Sequence, residues 1–256
     1  MSQYIQTEKQ GHVLLITLNR PEARNAFNRP MAMELEAVID AYESDASLHS
    51  AVIQALGPTF CAGQDLKEAA AGGLATTPRR GGFGILNQPP TKPLVAAVEG
   101  QALAGGMELT LCCDLIVASR ASVFGLAEAR RGLVAIGGGC FRAPRRIPYH
   151  AAMEMILVAE PMAAGEMHRL GYVNRLVEPG LALETALALA QRIAANGPLA
   201  VAASKAIAAR SYAEQWTDAQ GWQLQQDIVA PVLASEDLQE GLRAFAEKRP
   251  AVWKGR

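Results

Sequence analysis

The sequence predicts a mixed α/β fold whose sheets are covered by helices, followed by a helical C-terminal third. Three short runs of β-favouring apolar residues, at 52–56, 94–98 and 115–118, are separated by segments with helical spacing. Strands that are apolar on both faces are typical of sheets with helices on each side. After Pro148 only helical patterns remain, rich in Ala and Leu. A chain of 256 residues can form one large domain with a short appendage.

The N-terminal elements follow from local signals. Residues 4–7 and 13–18 flank a Gly-containing turn at 9–11, which predicts a β-hairpin. A helix is predicted from Pro30, where apolar residues recur at helical spacing, with Asn28 as a candidate N-cap. Further helices are predicted at 151–158, 163–170, 181–194, 200–209, 213–229 and 235–248.

Composition excludes several classes of protein. Lys and Arg total 24 against 25 Asp and Glu, so net charge gives no reason to expect nucleic acid or an anionic membrane as a partner. The apolar run at 13–18 has strand length and no signal-peptide pattern, and no apolar stretch is long enough to span a bilayer. We therefore expect a cytoplasmic protein whose four cysteines are reduced, mostly packed thiols.

One stretch lacks periodicity. Residues 69–88 contain two Gly pairs, a further Gly and an Arg pair, which predicts a mobile loop. Such a loop is either a tolerated surface insertion or a lid over a pocket.

Familiar catalytic motifs are missing. The chain has no nucleophile elbow, phosphate-binding P-loop or zinc-protease motif, and its four histidines are scattered. Catalysis must therefore come from carboxylates or from backbone groups.

Two segments suit backbone catalysis, because small residues follow a strand and open a helix at 60–67 and again at 101–109. Unpaired N–H groups at a helix start attract developing negative charge, and two that converge form an oxyanion hole. Glu108 lies one turn beyond Gly105, so its side chain can lean back toward the same place. Glu128 follows a strand-to-loop transition. By spacing alone, a Glu at either position is more often a solvated or salt-bridged residue than a catalyst.

The order and spacing of several motifs resemble the crotonase superfamily, the enoyl-CoA hydratase/isomerase family, over almost the whole chain. The motifs are Asn19-Arg20-Pro21 with Asn25-Ala26, and the segments 60–66, 92–100, 105–114, 124–128, 171–174 and 245–249.

This resemblance implies a fold and an assembly. The family fold is a spiral of ββα turns with two roughly perpendicular sheets, which here would occupy residues 1–195 and hold the active site. Residues 196–256 would form a C-terminal helical trimerisation region. The expected assembly is a homotrimer or a dimer of trimers.

The resemblance also implies site residues. Backbone N–H groups of Ala62 and Gly105 would hold a thioester oxygen, and Glu108 and Glu128 would handle water and protons. The positions that resemble the family's coenzyme A site are Ala23, Arg24, Gln64, Asp65, Leu66 and Lys248. No metal or other cofactor is expected, because coenzyme A is part of the substrate.

The implied activity is reversible syn addition of water to a trans-2-enoyl-CoA. The pair of glutamates favours this hydratase chemistry over an isomerase, which can use one carboxylate at the second position. The segment 133–142 departs from the common hydratase pattern, which leaves open other acyl-CoA dehydratases, including a carnitinyl-CoA type. A non-catalytic CoA-binding protein is the alternative of another class.

Overall fold

The computed structural model describes residues 4–256. The strands are β1 Ile5–Gln10, β2 Val13–Leu18, β3 Ser50–Ala55, β4 Thr76–Thr77, β5 Gly81–Gly82, β6 Leu94–Val98, β7 Gln101–Leu103, β8 Leu115–Ser119, β9 Val123–Gly125, β10 Met162–Ala163 and β11 Arg175–Val177. The helices are α1 Arg29–Ser44, α2 Leu66–Ala70, α3 Gly105–Thr110, α4 Gly139–Arg146, α5 Tyr149–Val158, α6 Ala164–Arg169, α7 Ala182–Ala194, α8 Pro198–Glu214, α9 Asp218–Leu233 and α10 Glu236–Glu247. These elements confirm the α/β class.

The main sheet has six strands in the order β1-β2-β3-β6-β8-β11. Only β1 is antiparallel to its neighbour, and the other pairs are parallel. A three-stranded sheet in the order β10-β9-β7 and the small β4-β5 pair complete the strands. Because β7 continues from β6 after Gly100, the chain passes from one sheet to the next just before α3.

Both faces of the central strands β2, β3, β6 and β8 are largely buried, as the apolar runs predicted, whereas the edge strands β1 and β11 are mostly not. Leu15, Val52 and Val95 lie in register and face the second apolar cluster, to which α7 contributes. The α7 face that packs there consists of small residues, Ala182, Ala186, Ala190 and Ala194. Alternate residues of the same strands face the larger core with α1 and α3. Alanine lets α7 lie close to the sheet, because its methyl group is the smallest apolar side chain.

The early sequence signals are confirmed in detail. The predicted hairpin forms, with β1 and β2 paired from Ile5 opposite Leu18 to Gln10 opposite Val13. Asn28 caps α1, because its Oδ1 accepts the Met31 N–H at 3.0 Å.

Other elements were missed or misplaced. Helix α4 was not predicted, because it begins in the Gly run 137–139 and contains Pro144. The two- and three-residue strands carry too few residues to show a period of two. The break between α8 and α9 lies at 215–217, later than the predicted break at 210–212.

The C-terminal helices α8 and α9 contact each other and contain no buried residue. Lys205 ties α8 to the sheet region, because its Nζ donates to the carbonyl oxygens of Pro90 and Lys92 and pairs with Asp114 at 2.7 Å. Within residues 4–256, the search for a helix with the length and hydropathy of a bilayer span finds none.

The close packing of α7 against the main sheet leads to a prediction about stability. Replacing Ala186 with Leu should lower the free energy of unfolding by about 1–3 kcal/mol, because three added carbons have no space between α7 and the sheet. Ala188→Leu on the exposed side of α7 is the matched control and should change little. Urea unfolding of both variants tests this, and equal midpoints would refute the packing argument.

Candidate active site

Glu108 is the buried centre of the site. It lies on α3, whose six residues are all buried, and its own exposure is 4%. Its Oε1 accepts the N–H of Gly139 at 2.9 Å, so the first turn of α4 holds the carboxylate. Burial raises the pKa of Glu108, while backbone hydrogen bonds from Gly139 and Gly137 and the charge of Arg142 act in the opposite direction. These hydrogen bonds and this charge offset part of the effect of burial, and the pKa of Glu108 stays above its ordinary value.

Glu128 has a different environment. It opens a short 3₁₀ turn, residues 128–131, soon after β9, and is half-buried. Its Oε2 is buried and has no hydrogen-bond partner in the part of the chain that the structure describes. Burial, followed by the negative charge of Glu108, raises its pKa to about 7. The two carboxyls therefore interact, and Glu128 is the one that readily holds a proton near neutral pH.

Apolar and glycine residues enclose the Glu108 carboxylate. A methyl group on Gly137 would lie 2.5 Å from Glu108 Oε2 and 2.6 Å from Leu86 Cδ1. A methyl group on Gly139 would lie 2.8 Å from Leu126 Cδ2 and 3.1 Å from Glu108 Oε1. Gly137 and Gly139 leave room for the carboxylate because they have no side chain.

Two backbone segments meet beside Glu108. A methyl group on Gly63 would lie 2.9 Å from the Gly105 nitrogen, and one on Gly106 would overlap the Cys61 carbonyl. Cys61 pairs with β7, since its N–H donates to the Gln101 carbonyl and its carbonyl accepts the Leu103 N–H, both at 3.0 Å. This pairing brings the segment 61–64 against the start of α3, as the two small-residue motifs suggested.

The expected role of Ala62 is wrong on this geometry. Its N–H donates to the Arg24 carbonyl at 3.1 Å, so it is not available to a ligand. Two residues further on, the N–H of Gln64 has no acceptor within residues 4–256, and the same holds for the N–H of Gly105. Within this segment the N–H of Ala62 is therefore paired with the loop at Arg24, whereas the N–H of Gln64 is not.

The loop 69–88 was expected to be mobile, but it is anchored to α1. The Glu36 carboxylate accepts the Arg80 N–H at 2.7 Å and the Thr77 hydroxyl, and Arg80 also pairs with Asp40 at 2.8 Å. These bonds hold the β4-β5 pair beside α1. The loop therefore forms a fixed wall of the site.

Phe83 is the loop residue closest to the start of α3. It is 4% exposed and stacks on Phe27, with ring centroids 4.3 Å apart. A methyl group on Gly105 would overlap its ring. Phe83 adopts a left-handed φ of 55°, which is uncommon for a large side chain and is held here by the stack.

Four of the six expected CoA-binding residues lie together along the chain segments just described. Ala23 ends a 3₁₀ turn, and Arg24 follows it with an exposed side chain. Gln64 Oε1 accepts the Ala75 N–H at 3.0 Å, and Leu66, at the start of α2, is 48% exposed. The backbone bond between Arg24 and Ala62 connects these two segments.

The other two expected residues have different surroundings. The Asp65 carboxylate caps α2 by accepting the Lys67 N–H at 2.9 Å, and it pairs with Arg20 at 2.8 Å. Lys248 is exposed and ends α10 with a φ of 53°. Among the described residues, no hydrogen bond or ion pair joins Lys248 to the other five positions. Asp65 therefore has a structural role in this chain.

Sequence reasoning missed the residues that hold Glu108. These are Gly137, Gly139 and Arg142, together with Leu86 of the loop. In the sequence the three glycines at 137–139 stand out only as part of a departure from the common hydratase pattern. A Gly run that directly precedes a helix is the signal that could have identified it as a carboxylate-binding turn.

Comparison with known proteins gives consistent matches over the full chain. A family model described as "Enoyl-CoA hydratase/isomerase" matches residues 8–256. The enoyl-CoA hydratase EchA19 of Mycobacterium tuberculosis is 36% identical, over 97% of this chain and 96% of that protein. A carnitinyl-CoA dehydratase of Proteus mirabilis is 39% identical over 100% of both chains. The crystal structure of the enoyl-CoA hydratase EchA1 of Mycobacterium marinum has a TM-score of 0.95 and 47% identity, covering 99% of each chain.

The raised pKa of Glu128 predicts a pH-dependent stability. A carboxyl whose pKa is higher in the folded state destabilises the fold as pH rises from its unfolded value, near 4.5, through about 7. Glu128→Gln should therefore be more stable than the parent by about 1–3 kcal/mol at pH 8, and the difference should vanish near pH 4.

Unfolding by urea at several pH values measures this difference. Glu184→Gln, at an exposed position on α7, is the control and should show a small difference at every pH. A Glu128→Gln advantage that is the same at pH 4 and pH 8 would contradict the assignment of a buried, protonated Glu128.

Proposed function

The chain belongs to the enoyl-CoA hydratase/isomerase family of the crotonase superfamily, and from that premise we propose that it is a hydro-lyase acting on a trans-2-enoyl-CoA. The reaction is reversible addition of water across the double bond, giving a 3-hydroxyacyl-CoA. The observation that carries the proposal is the unequal pair of carboxyls, in which Gly139 holds Glu108 while Glu128 Oε2 is buried without a partner.

The two carboxyls have complementary roles in this proposal. Ionised Glu108 accepts a proton from the water as the water oxygen bonds to C3 of the acyl chain. Protonated Glu128 gives its proton to C2, and delivery of both groups from one side makes the addition syn. A pKa of about 7 suits Glu128 for this task, because an acid works best when its pKa lies near the working pH.

Backbone N–H groups stabilise the charge that develops on the thioester oxygen. We assign this oxyanion hole to the N–H groups of Gln64 and Gly105, since neither has an acceptor within residues 4–256 and the two segments meet at Gly63. Fixed donors aimed at developing charge need no reorganisation during the reaction. The proposed steps are proton transfers and use no metal or redox cofactor.

The CoA moiety is proposed to lie along the surface formed by Ala23, Arg24, Gln64 and Leu66. Arg24 is exposed beside the proposed hole and can pair with phosphate. Lys248 would contribute to phosphate binding from the end of α10 of a second copy, whereas Asp65 shapes the site by capping α2.

The proposed assembly is a homotrimer or a dimer of trimers. The spiral core is proposed for residues 1–195, of which the structure describes 4–195, with its six- and three-stranded sheets roughly perpendicular, and residues 196–256 are proposed as the trimerisation region. The argument is the lack of any buried residue in α8 and α9, together with exposed apolar side chains such as Trp222 at 72% and Phe245 at 87%. Isolated helices with exposed apolar surface need a partner for stability.

Two other activities share the same site. An enoyl-CoA isomerase would give a 2-enoyl product from a 3-enoyl substrate and would not require Glu108. A carnitinyl-CoA dehydratase is suggested by the 39% identical relative of Proteus mirabilis. A substrate for each of these two activities is therefore included in the assay.

The catalytic prediction is that Glu108→Gln and Glu128→Gln each lower kcat by about 10²–10⁴-fold, because each removes a group that moves a proton. Loss of the enoyl thioester absorbance is followed with crotonyl-CoA and a longer trans-2-enoyl-CoA, and formation of the enoyl product is followed from a 3-enoyl-CoA and from carnitinyl-CoA. Glu154→Gln, an exposed position on α5, is the control.

The outcomes separate the alternatives. Retained turnover of the 3-enoyl-CoA by Glu108→Gln would indicate the isomerase. Tight acyl-CoA binding without turnover of any of the four substrates would support the non-catalytic CoA-binding protein.

The assembly prediction is a mass three or six times that of the chain in light scattering. Trp222→Arg should lower that mass, because a charge replaces an exposed apolar side chain in the proposed interface. Leu74→Arg, which also replaces an exposed apolar side chain but lies in the 69–88 loop, should leave the mass unchanged. A monomeric parent protein at micromolar concentration would refute the assembly.

A further inference from the structure

Arg142 makes three contacts that join separate parts of the site. It lies on α4, and its Nη2 donates to the Leu86 carbonyl at 2.8 Å. Its Nη1 lies 3.4 Å from the Gly137 carbonyl and 3.3 Å from Cys112 Sγ. One guanidinium therefore contacts the anchored loop, the Gly run and α3's C-terminal end.

These contacts surround Glu108. Gly137 lies next to the Glu108 carboxylate, since a methyl group added to it would lie 2.5 Å from Glu108 Oε2, and the same methyl group would lie 2.6 Å from Leu86 Cδ1. Cys112 lies one helical turn after Glu108, and its thiol contacts the Glu108 carbonyl at 3.4 Å. A change at Arg142 would therefore loosen both walls of the carboxylate at once.

The charge of Arg142 is also available to Glu108. Arg142 is half-buried, and within residues 4–256 it forms no ion pair. Its hydrogen bonds to carbonyl oxygens satisfy donors of the guanidinium, while its charge has no neutralising carboxylate among the described residues. Here its positive charge acts against the rise that burial causes in the pKa of Glu108.

We propose that Arg142 is a positioning residue for the hydration reaction: by binding the backbone of Leu86 and of Gly137 it holds the loop and the Gly run in place around Glu108, and its positive charge favours the ionised form of Glu108. This inference rests on the proposed function. Arg142 acts through Glu108, and no direct contact with substrate is assigned to it.

The test compares two substitutions at Arg142. Arg142→Gln removes both the positive charge and the planar set of guanidinium N–H donors. We expect kcat to fall by about tenfold or more, since small displacements of a catalytic group are costly. The acid limb of the kcat–pH profile should move to higher pH, because Glu108 must be ionised to accept a proton and loses the charge that favours its ionised form.

Arg142→Lys keeps the positive charge but loses the planar set of guanidinium N–H donors. A single ammonium cannot match the planar guanidinium at two carbonyls, so kcat should fall while the acid limb stays near its parent position. Arg145→Gln, an exposed Arg on the same helix, is the control and should leave both quantities unchanged. A purely structural role of Arg142 would lower the melting temperature and kcat without moving the acid limb.

A second measurement is independent of turnover. The infrared carbonyl band of protonated Glu108, isolated by subtracting spectra of Glu108→Gln, gives the titration of this carboxyl directly. It should move to higher pH in Arg142→Gln. An unchanged titration in a folded Arg142→Gln protein overturns the proposal, and if that variant does not fold, parent-like kcat in Arg142→Lys overturns it.

The two proposals fail in different ways. If the parent protein hydrates no enoyl-CoA but Arg142→Gln shifts the Glu108 titration, the function is wrong and the role of Arg142 toward Glu108 stands. If the parent protein hydrates enoyl-CoA and the titration does not shift, only the role of Arg142 is wrong.

Discussion

The site depends on the close approach of two backbone segments, residues 61–64 and the start of α3. Gly106 sits against the Cys61 carbonyl and Gly63 against the Gly105 nitrogen, so any larger side chain at these positions would separate them. The pairing of Cys61 with β7 fixes their register. From this contact follow the positions of the free N–H groups and of Glu108, which α3 carries one turn later. A catalytic arrangement built on backbone has little freedom, because the backbone is held by the sheets on both sides.

The same compactness explains why the two carboxyls differ. Both are shielded from water, and two adjacent negative charges in such a place are unfavourable, so the pair tends to keep one proton. The proton belongs on Glu128, since Glu108 receives the Gly139 N–H and the field of Arg142, whereas Glu128 Oε2 receives no hydrogen bond from the described residues. The difference between the two carboxyls is thus set by their partners, since the side chains themselves are the same.

The sequence predicted the elements with strong local signals and missed those set by tertiary contacts. The hairpin and the Asn28 cap follow from turn chemistry and helical spacing, and the buried strands follow from their unbroken apolar character. The small-residue motifs indicated two segments that do meet in the structure. They could not identify which N–H is free, because the Ala62 N–H donates to the carbonyl of Arg24, nearly forty positions earlier in the chain. Arg142 was overlooked for the same reason, since the carbonyls it binds belong to segments distant in sequence.

The 69–88 loop shows how composition and contacts can point in different directions. Its glycines allow left-handed turns, as at Gly81 and Gly84. The same glycines led to the prediction of a mobile loop. Those turns instead bring Arg80 onto Glu36 and Asp40, and place Phe83 and Leu86 against α3 and the Gly run. The conformational freedom of these glycines therefore allows one defined folded conformation of the loop. Because its anchors lie on α1 and Arg142 of α4 binds its Leu86 carbonyl, the loop is part of the same packed unit that holds Glu108.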